Sequence, residues 1–327
     1  MNQNIIGKIK EANLLGRGGA SFPTWLKWDA VKKQEGKKIY VIANGSEGEP
    51  AVFKDEYVLK KHPEEFIGGI KIALETFAGS EAIIYLNHSY YDTYRPLLEK
   101  YSERAKISYF RKTARYIAGD ETALLSHIEG ERPEPRAKPP YPAESGLYGL
   151  PTLINNIETF YRIYEIANGI YADNTYYSIS GDVENKGMFE LSVNLSIEEV
   201  LITTGNYPDF DFFIQYGGGA VGAIFLPYEL KVPIRGAASI VVYNRTTTDL
   251  YELMAEWATF YARENCDKCT PCREGTFRIL DMVKTRNLDM EKLNELFLVL
   301  DTTSFCPLGK GMSAPYKTLI EKVMCHE

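Results

Sequence analysis

Apolar positions along the chain change their period three times. In KIYVIAN (38–44) and AIIYLN (82–87) they run together and end in turn chemistry, at Asn44-Gly45 in the first case, as short buried strands do. Between them Phe66, Ile67, Ile70, Leu74 and Phe77 recur at helical spacing, which predicts an amphipathic helix. A further strand, ISYF (107–110), precedes a helix over ETALLSHIE (121–129). Strand, helix, strand in this order predicts a parallel α/β layer. The six prolines of Glu131–Pro151 exclude regular structure there and predict an extended or looped run.

From about 170 to 245 the runs shorten. YYSIS, FELSV, FDFFIQY and SIVVY are separated by Gly, Pro, Asn and Asp, with one helix at SIEEVLITTG (196–205), where Ser196 and Glu199 form a capping box. This predicts a small mixed sheet with one helix, of β-grasp type. Beyond residue 248 the period becomes helical throughout. Leu250, Leu253, Met254, Trp257 and Tyr261 form one stripe, and Phe277, Leu280 and Val283 a second. Leu293, Leu296, Phe297 and Leu300 form a third, and Tyr316, Leu319, Ile320 and Val323 a fourth. Four short amphipathic helices predict a small bundle.

Composition alters this picture little until the cysteines are placed. The 327 residues carry a net charge of −7, which argues against a nucleic acid or an anionic membrane as the main partner. No apolar run is long enough to span a bilayer, and the N-terminus lacks the apolar core of a secretory signal, so a cytoplasmic protein is expected. All five cysteines lie after residue 265. Clustering of this kind in a reducing compartment points to a metal rather than to disulfides.

NCDKCTPCREG holds Cys266, Cys269 and Cys272 as C-x2-C-x2-C, with Cys306 following in SFCPLGKG. Three thiolates two residues apart can each bind a different iron of one compact centre, with a remote cysteine as the fourth ligand. A 4Fe–4S cluster on these four is the reading. A zinc site, which more often pairs two C-x2-C units or adds His, and plain thiols are the alternatives. Cys325 is left over as a packed or exposed thiol. GRGGASFP (16–23) is a dense glycine run that, with Arg17 and Lys27, suits close approach to a phosphate or flavin, or is a flexible loop. A formal G-x-G-x-x-G at Gly217–Gly222 leads into AIFLPYELKVP (223–233), whose prolines and strand-like content exclude a dinucleotide-binding helix, so a structural turn is expected. NGSEGEP (44–50) follows a strand, where α/β sheets bind ligands, and Asp120 and Glu121 begin a helix, where they could act only as capping charges.

GRGGASFPTWLKW, NGSEGEPAVFKDE, AGDETAL, EPRAKPPYPAESGLYGLPTLINNIET, CDKCTPCREGT and SFCPLGKG occur in this order over nearly the whole chain. Together they resemble the NADH-binding flavoprotein subunit of respiratory complex I and the related diaphorase subunits of soluble hydrogenases and formate dehydrogenases. The resemblance implies three parts: an α/β, Rossmann-like FMN- and NADH-binding domain (1–168), a β-grasp, SLBB-type domain (169–246) and a helical 4Fe–4S domain (247–327). It implies FMN held by Gly16, Arg17, Gly18, Gly19, Lys27, the loop of Asn44, Ser46 and Glu47, then Tyr116, Gly119, Asp120, Glu121, Asn155 and Asn156. It implies NAD(H) stacked over the flavin near Phe22, Glu49, Lys138 and Tyr141, with Glu49 the catalytic candidate and Glu121 the acid that disfavours NADP. Hydride would pass to the flavin and single electrons to the cluster. The partners implied are a small thioredoxin-like 2Fe–2S subunit and a larger iron–sulfur, hydrogenase or dehydrogenase subunit. Ser21 and Trp25 stand where the family usually has glycine, Ala30 where it has an aromatic, Tyr141 where it has Phe and Ser46 where it has Asp. KTARY (112–116) replaces a glycine-rich lead-in. These departures motivate a second reading, an electron-transfer or assembly subunit that keeps FMN and cluster without pyridine nucleotide.

Overall fold

A computed structural model describes residues 4–113, 115–232 and 238–326. The chain divides into two compact units. The first is Met1–Gly48, Phe53–Ala114 and Ala118–Thr175; the second is Glu49–Val52, Arg115–Ile117 and Tyr176–Glu327.

In the first unit the helices α1 (Ile5–Glu11) and α2 (Thr24–Lys32) precede strand β1 (Tyr40–Gly45). There follow α3 (Lys54–Lys61), α4 (Pro63–Thr76), β2 (Glu81–Asn87), α5 (His88–Tyr101), β3 (Ile107–Lys112), α6 (Glu121–Ile128), the single turn α7 (Pro142–Ser145), β4 (Thr152–Asn156) and α8 (Ile157–Asn168). The four strands lie parallel in the order β3-β2-β1-β4. The chain therefore adds β2 and β3 on one side of β1, then returns to place β4 on the other. That reversal leaves a crevice at the carboxyl ends of β1 and β4, the usual ligand position of such a sheet. Register sets Ala43 beside Asn155 and Asn44 beside Asn156, so the two asparagines ending β4 meet the turn after β1. Pattern alone predicts β1, β2, β3, α4 and α6. Strand β4 escapes it because TLINN ends in polar residues and directly follows the proline run.

The second unit carries a mixed sheet of β5 (Asn174–Gly181), β6 (Gly187–Ser192), β7 (Phe212–Tyr216), β8 (Ala223–Phe225) and β9 (Ser239–Asn244), ordered β6-β5-β9-β7-β8. Helix α9 (Ile197–Thr203) covers it. The predicted capping box is formed: Ser196 Oγ accepts from the Glu199 N–H at 3.2 Å, and the Glu199 carboxylate accepts from the Ser196 N–H at 2.8 Å. Ile197, Val200 and Leu201 pack onto Tyr177, Ile214, Ile240 and Val242. Gly217–Gly222 joins antiparallel β7 and β8 and so is a turn, as expected; Pro233, the last residue of the stretch that follows it, lies outside the described residues.

Helices α10 (Leu250–Glu264), α11 (Thr270–Lys284), α12 (Met290–Thr303), the short α13 (Pro307–Gly311) and α14 (Ser313–Lys322) complete this unit. Trp257, Tyr261, Ile279, Val283, Leu293, Phe297, Leu300, Tyr316 and Leu319 share one apolar core. The second stripe needs correction. Phe277 is 55% exposed, and the inward face of α11 is Cys272, Thr276, Ile279 and Val283. The helix turns its metal-ligand candidate inward, and Phe277 follows from that as an outward residue.

Candidate functional site

In the first unit the glycine run is closed like a small hairpin, with Gly16 N–H donating to the Phe22 carbonyl at 2.9 Å and Leu15 bridged to Pro23. Gly19 has φ +100° and Ser21 φ +48°, both in the left-handed region. Glycine adopts that region freely, whereas serine does so at a cost in strain. The loop is tied down by Arg17, whose N–H donates to Thr159 Oγ1 in the first turn of α8 (2.9 Å). Its guanidinium reaches Asp173 and the Asn174 carbonyl, while Nε is buried with no hydrogen-bond partner among the described residues.

At the crevice, Asn44 Nδ2 donates to the Gly119 carbonyl at 3.0 Å, and the Ser46 hydroxyl and N–H donate back to Asn44 Oδ1. Asn155 Oδ1 accepts from the buried Trp28 indole at 3.0 Å. Asn156 caps α8 and lies in a charged network. Lys54 Nζ donates to Asn156 Oδ1 (3.0 Å) and to Asp55 (2.5 Å), and Asn156 Nδ2 donates to Asp55 (2.8 Å). Asp120 is the N-cap of α6, accepting from the Thr122 and Ala123 amides, so its side chain serves the helix. Glu47 accepts from the Asp55 N–H and from the Tyr90 phenol (2.9 Å); burial and the neighbouring Asp55 raise its carboxyl to about 8.

A second cluster gathers Phe22, Lys27, Glu121 and Lys138, with Tyr141 three residues further along the chain. Glu121 is clamped by Lys27 (2.9 Å) and Lys138 (2.5 Å). Burial opposes its charge, but the two ammonium groups hold the carboxyl below its ordinary range. Phe22, with Lys27 at 5.9 Å from its ring, and Tyr141 are 45% and 54% exposed. Trp25 has its ring under the Lys10 ammonium of α1 at 4.6 Å.

Two of the expected site residues, Glu49 and Tyr116, belong to the second unit. Glu49 Oε1 accepts from the Ala220 and Val221 amides at 2.9 and 3.2 Å, burial raises its carboxyl, and the Tyr116 phenol is close by. Gly218 and Gly219 pack so tightly on Glu49 and Pro50 that a Cβ at either would clash. The Gly217–Gly222 turn therefore holds Glu49, a role its motif match did not suggest. Tyr116 is pinned by its N–H to Glu264 (2.7 Å) and by its ring to Phe260, just ahead of Cys266.

Cys266, Cys269, Cys272 and Cys306 share one neighbourhood. Cys272, 6% exposed, is pushed up to about 12 by burial, with the other three thiols adding to the shift. Cys269 and Cys306 stand at the starts of α11 and α13, where helix dipoles favour anions. Among the described residues no three His, Cys, Asp or Glu draw together around one point as a single ion requires. Cys325 is exposed. The hydroxyls of Tyr261 and Ser304, near Cys272, and of Thr276, one helical turn after it, are buried without a hydrogen-bond partner among the described residues. Cys272 is among the electrostatic neighbours of Tyr261. Orphaned hydroxyls cost about 1–3 kcal/mol each, and the sulfurs of a bound cluster would accept from them. The donor set fits the cluster.

Lys54, Asp55, Lys112 and Ala220 are site-building residues that the sequence did not flag. Lys112, 4% exposed, donates to the Ser46 carbonyl at 3.1 Å.

Residues 9–165 match the family described as the Nuo51 FMN-binding domain, and 252–324 the NADH-ubiquinone oxidoreductase-F iron–sulfur binding region. The F subunit of the NADH-quinone oxidoreductase of Streptomyces coelicolor is 32% identical over 95% of this chain and 79% of its own length. The F2 subunit of the Rhizobium meliloti enzyme is 32% identical over 94% and 84%. The chain belongs to the family of NADH-quinone oxidoreductase F subunits. It is an oxidoreductase subunit with an FMN domain and a 4Fe–4S domain. An H2-reduced NAD+-reducing [NiFe]-hydrogenase superposes with a TM-score of 0.90 at 28% identity, covering 97% of this chain. The chain spans about 61% of that hydrogenase chain. No helix among the described residues is long and apolar enough to cross a membrane.

Proposed function

We propose that this member of the family oxidises NADH, or forms it in reverse, and exchanges the electrons with partner subunits. One observation carries the flavin half of this reading. The residues expected to hold FMN in the first unit gather at the carboxyl ends of β1 and β4, where the strand order reverses. Bound there, FMN would supply the chemistry that takes a hydride and releases single electrons, and a 4Fe–4S cluster on the four cysteines would supply a one-electron carrier.

The chain's own residues position these events. Gly18, Gly19 and the Asn44–Glu47 turn offer backbone to the flavin, since the side chains of Asn44 and Asn156 are taken up by protein partners. Phe22 and Tyr141 offer exposed rings on which a nicotinamide or adenine can stack. Glu121 holds Lys27 and Lys138 and sets a negative charge against a 2′-phosphate, which favours NAD over NADP. Glu49, its Oε1 fixed by two amides, is our candidate at the reacting centre. Cys266, Cys269, Cys272 and Cys306 are the proposed ligands, and 1–168, 169–246 and 247–327 the proposed domains. A small thioredoxin-like 2Fe–2S subunit and a larger iron–sulfur, hydrogenase or dehydrogenase subunit are the proposed partners, in the cytoplasm.

Nothing favours loss of nucleotide binding. Trp25 is engaged by Lys10, and Ser21 adopts the left-handed conformation a glycine would. Anaerobic mixing of the FMN- and cluster-loaded protein with NADH tests the reading through the flavin's visible absorption. Prompt bleaching by NADH, and slow bleaching by NADPH, is expected; a flavin reducible only by dithionite would overturn it.

A further inference from the structure

Ser304 is two residues before Cys306, at the end of α12, where its N–H donates to the Leu300 carbonyl. The residue is 4% exposed and its hydroxyl has no hydrogen-bond partner. Its surroundings are fixed by Gly309 in the turn after Cys306. A Cβ built on Gly309 would lie 2.5 Å from Ser304 Oγ and 3.6 Å from Cys272 Cβ. The serine hydroxyl and the first carbon of a proposed ligand thus flank one point, and glycine leaves that point clear. Alanine there would drive into the hydroxyl.

A buried hydroxyl that shares this point with Cys272 and lies two residues before Cys306 needs an acceptor, and among the described residues none bonds it. Sulfur on a reduced iron–sulfur centre carries excess negative charge and accepts hydrogen bonds, and such bonds are among the factors that set cluster potentials. From this geometry we infer that Ser304 is a positioning residue of the cluster. Its O–H donates to a sulfur at the Cys272–Cys306 side and stabilises the reduced state, so that the cluster takes electrons more readily. The inference rests on the four-cysteine ligand assignment, and Gly309 is the residue that makes room for it.

The test uses the full chain with flavin and cluster in place. Ser304→Ala and Ser304→Thr are titrated anaerobically with mediators, and the cluster's EPR signal reports both content and midpoint potential. Full cluster content in both is expected, with the alanine variant's midpoint lower by a tenfold change in the reduction equilibrium, about 59 mV for a one-electron couple. Threonine, which keeps the hydroxyl, should stay within twofold of the parent. An unchanged midpoint in the alanine variant would overturn the inference, as would equal shifts in both variants, which would mark a purely steric role. Loss of the cluster from the alanine variant would overturn it too, in favour of an assembly role. An intact cluster in Cys306→Ser would instead sink the ligand assignment, so the two failures are distinguishable.

Discussion

The two units hold their candidate cofactor residues by different means. In the first, buried charge is mostly paired within the protein: Lys54 contacts Asp55 and Glu158, Arg162 contacts Glu158 and Glu165, and Asn156 is fixed among them, while Arg17 Nε finds no partner among the described residues. In the second, the thiol neighbourhood is left incomplete, with buried hydroxyls at Tyr261, Thr276 and Ser304 that no group among the described residues satisfies. A site built from paired charges is organised before its cofactor arrives. A site built from thiols and orphaned donors is finished by its metal, because folding energy there is partly binding energy.

The largest expected effect follows from that contrast. Iron chelation, or Cys306→Ser, should raise hydrogen exchange across α10–α14 by orders of magnitude and leave the slow amides of β1, β2 and α4 unchanged. Cys325→Ser should alter neither the exchange nor the cluster spectrum. Equal loosening of both units on iron removal would break the comparison.

Lys54→Met probes the other side. Removing the ammonium leaves Asp55 buried without its cation and Glu158 with Arg162 alone, which costs about 3–5 kcal/mol. Urea unfolding should show that loss, and the protein should be purified with less flavin at unchanged cluster content.

This network also marks the limit of what the sequence discloses. Nothing in the spacing of FKDE (53–56) and IETFYRIYE (157–165) shows that Lys54, Asp55, Glu158 and Arg162 meet inside. β1, β2 and β3 were legible because apolar runs bounded by turn residues have few other solutions, and the Ser196–Glu199 box because it is local. Cys306 is remote, but the Cys266–Cys269–Cys272 spacing was equally local. The placing of Glu49 by the amides of Ala220 and Val221 was not: backbone donors carry no signature, and the partners are remote in sequence.

A pH titration sharpens the contrast further. Glu47 is raised by burial and by Asp55, so the folded first unit binds a proton more tightly than the unfolded chain does. Lys54, Asp55 and Tyr90 are the charged or titratable groups facing it. Asp55 is also raised, again with burial as the main cause. The stability Glu47 contributes is present in full below its unfolded pKa of about 4.3 and falls as pH rises towards about 8. Glu47→Gln should flatten that slope in unfolding measurements between pH 5 and 8; an unchanged slope would show that Glu47 is ionised throughout.

Glu121→Gln acts on ligand choice rather than on folding. It weakens the clamp on Lys27 and Lys138 and removes the charge opposed to a 2′-phosphate. The ratio of kcat/KM for NADH over NADPH should fall about tenfold, which corresponds to about 1.4 kcal/mol. A selectivity that does not move would transfer that role away from Glu121.

The smallest effect is expected at Trp25, and its smallness is the point. The indole would matter greatly if it filled the nucleotide cleft, because its removal would then open the cleft and change KM for NADH severalfold. Its ring is instead engaged by the Lys10 ammonium at 4.6 Å, on the helix that packs beside α2. A partly exposed contact of this kind is worth about 0.5–1 kcal/mol. Trp25→Ala should therefore lower the unfolding free energy of the first unit by about that amount and leave KM for NADH within twofold. Lys10→Ala should give the same stability loss, and the double variant little more than either alone, because both remove one interaction. A large drop in KM with no loss of stability would place the indole in the cleft after all, and would make this tryptophan, rather than the Glu121 clamp, the feature that sets how this chain meets its nucleotide.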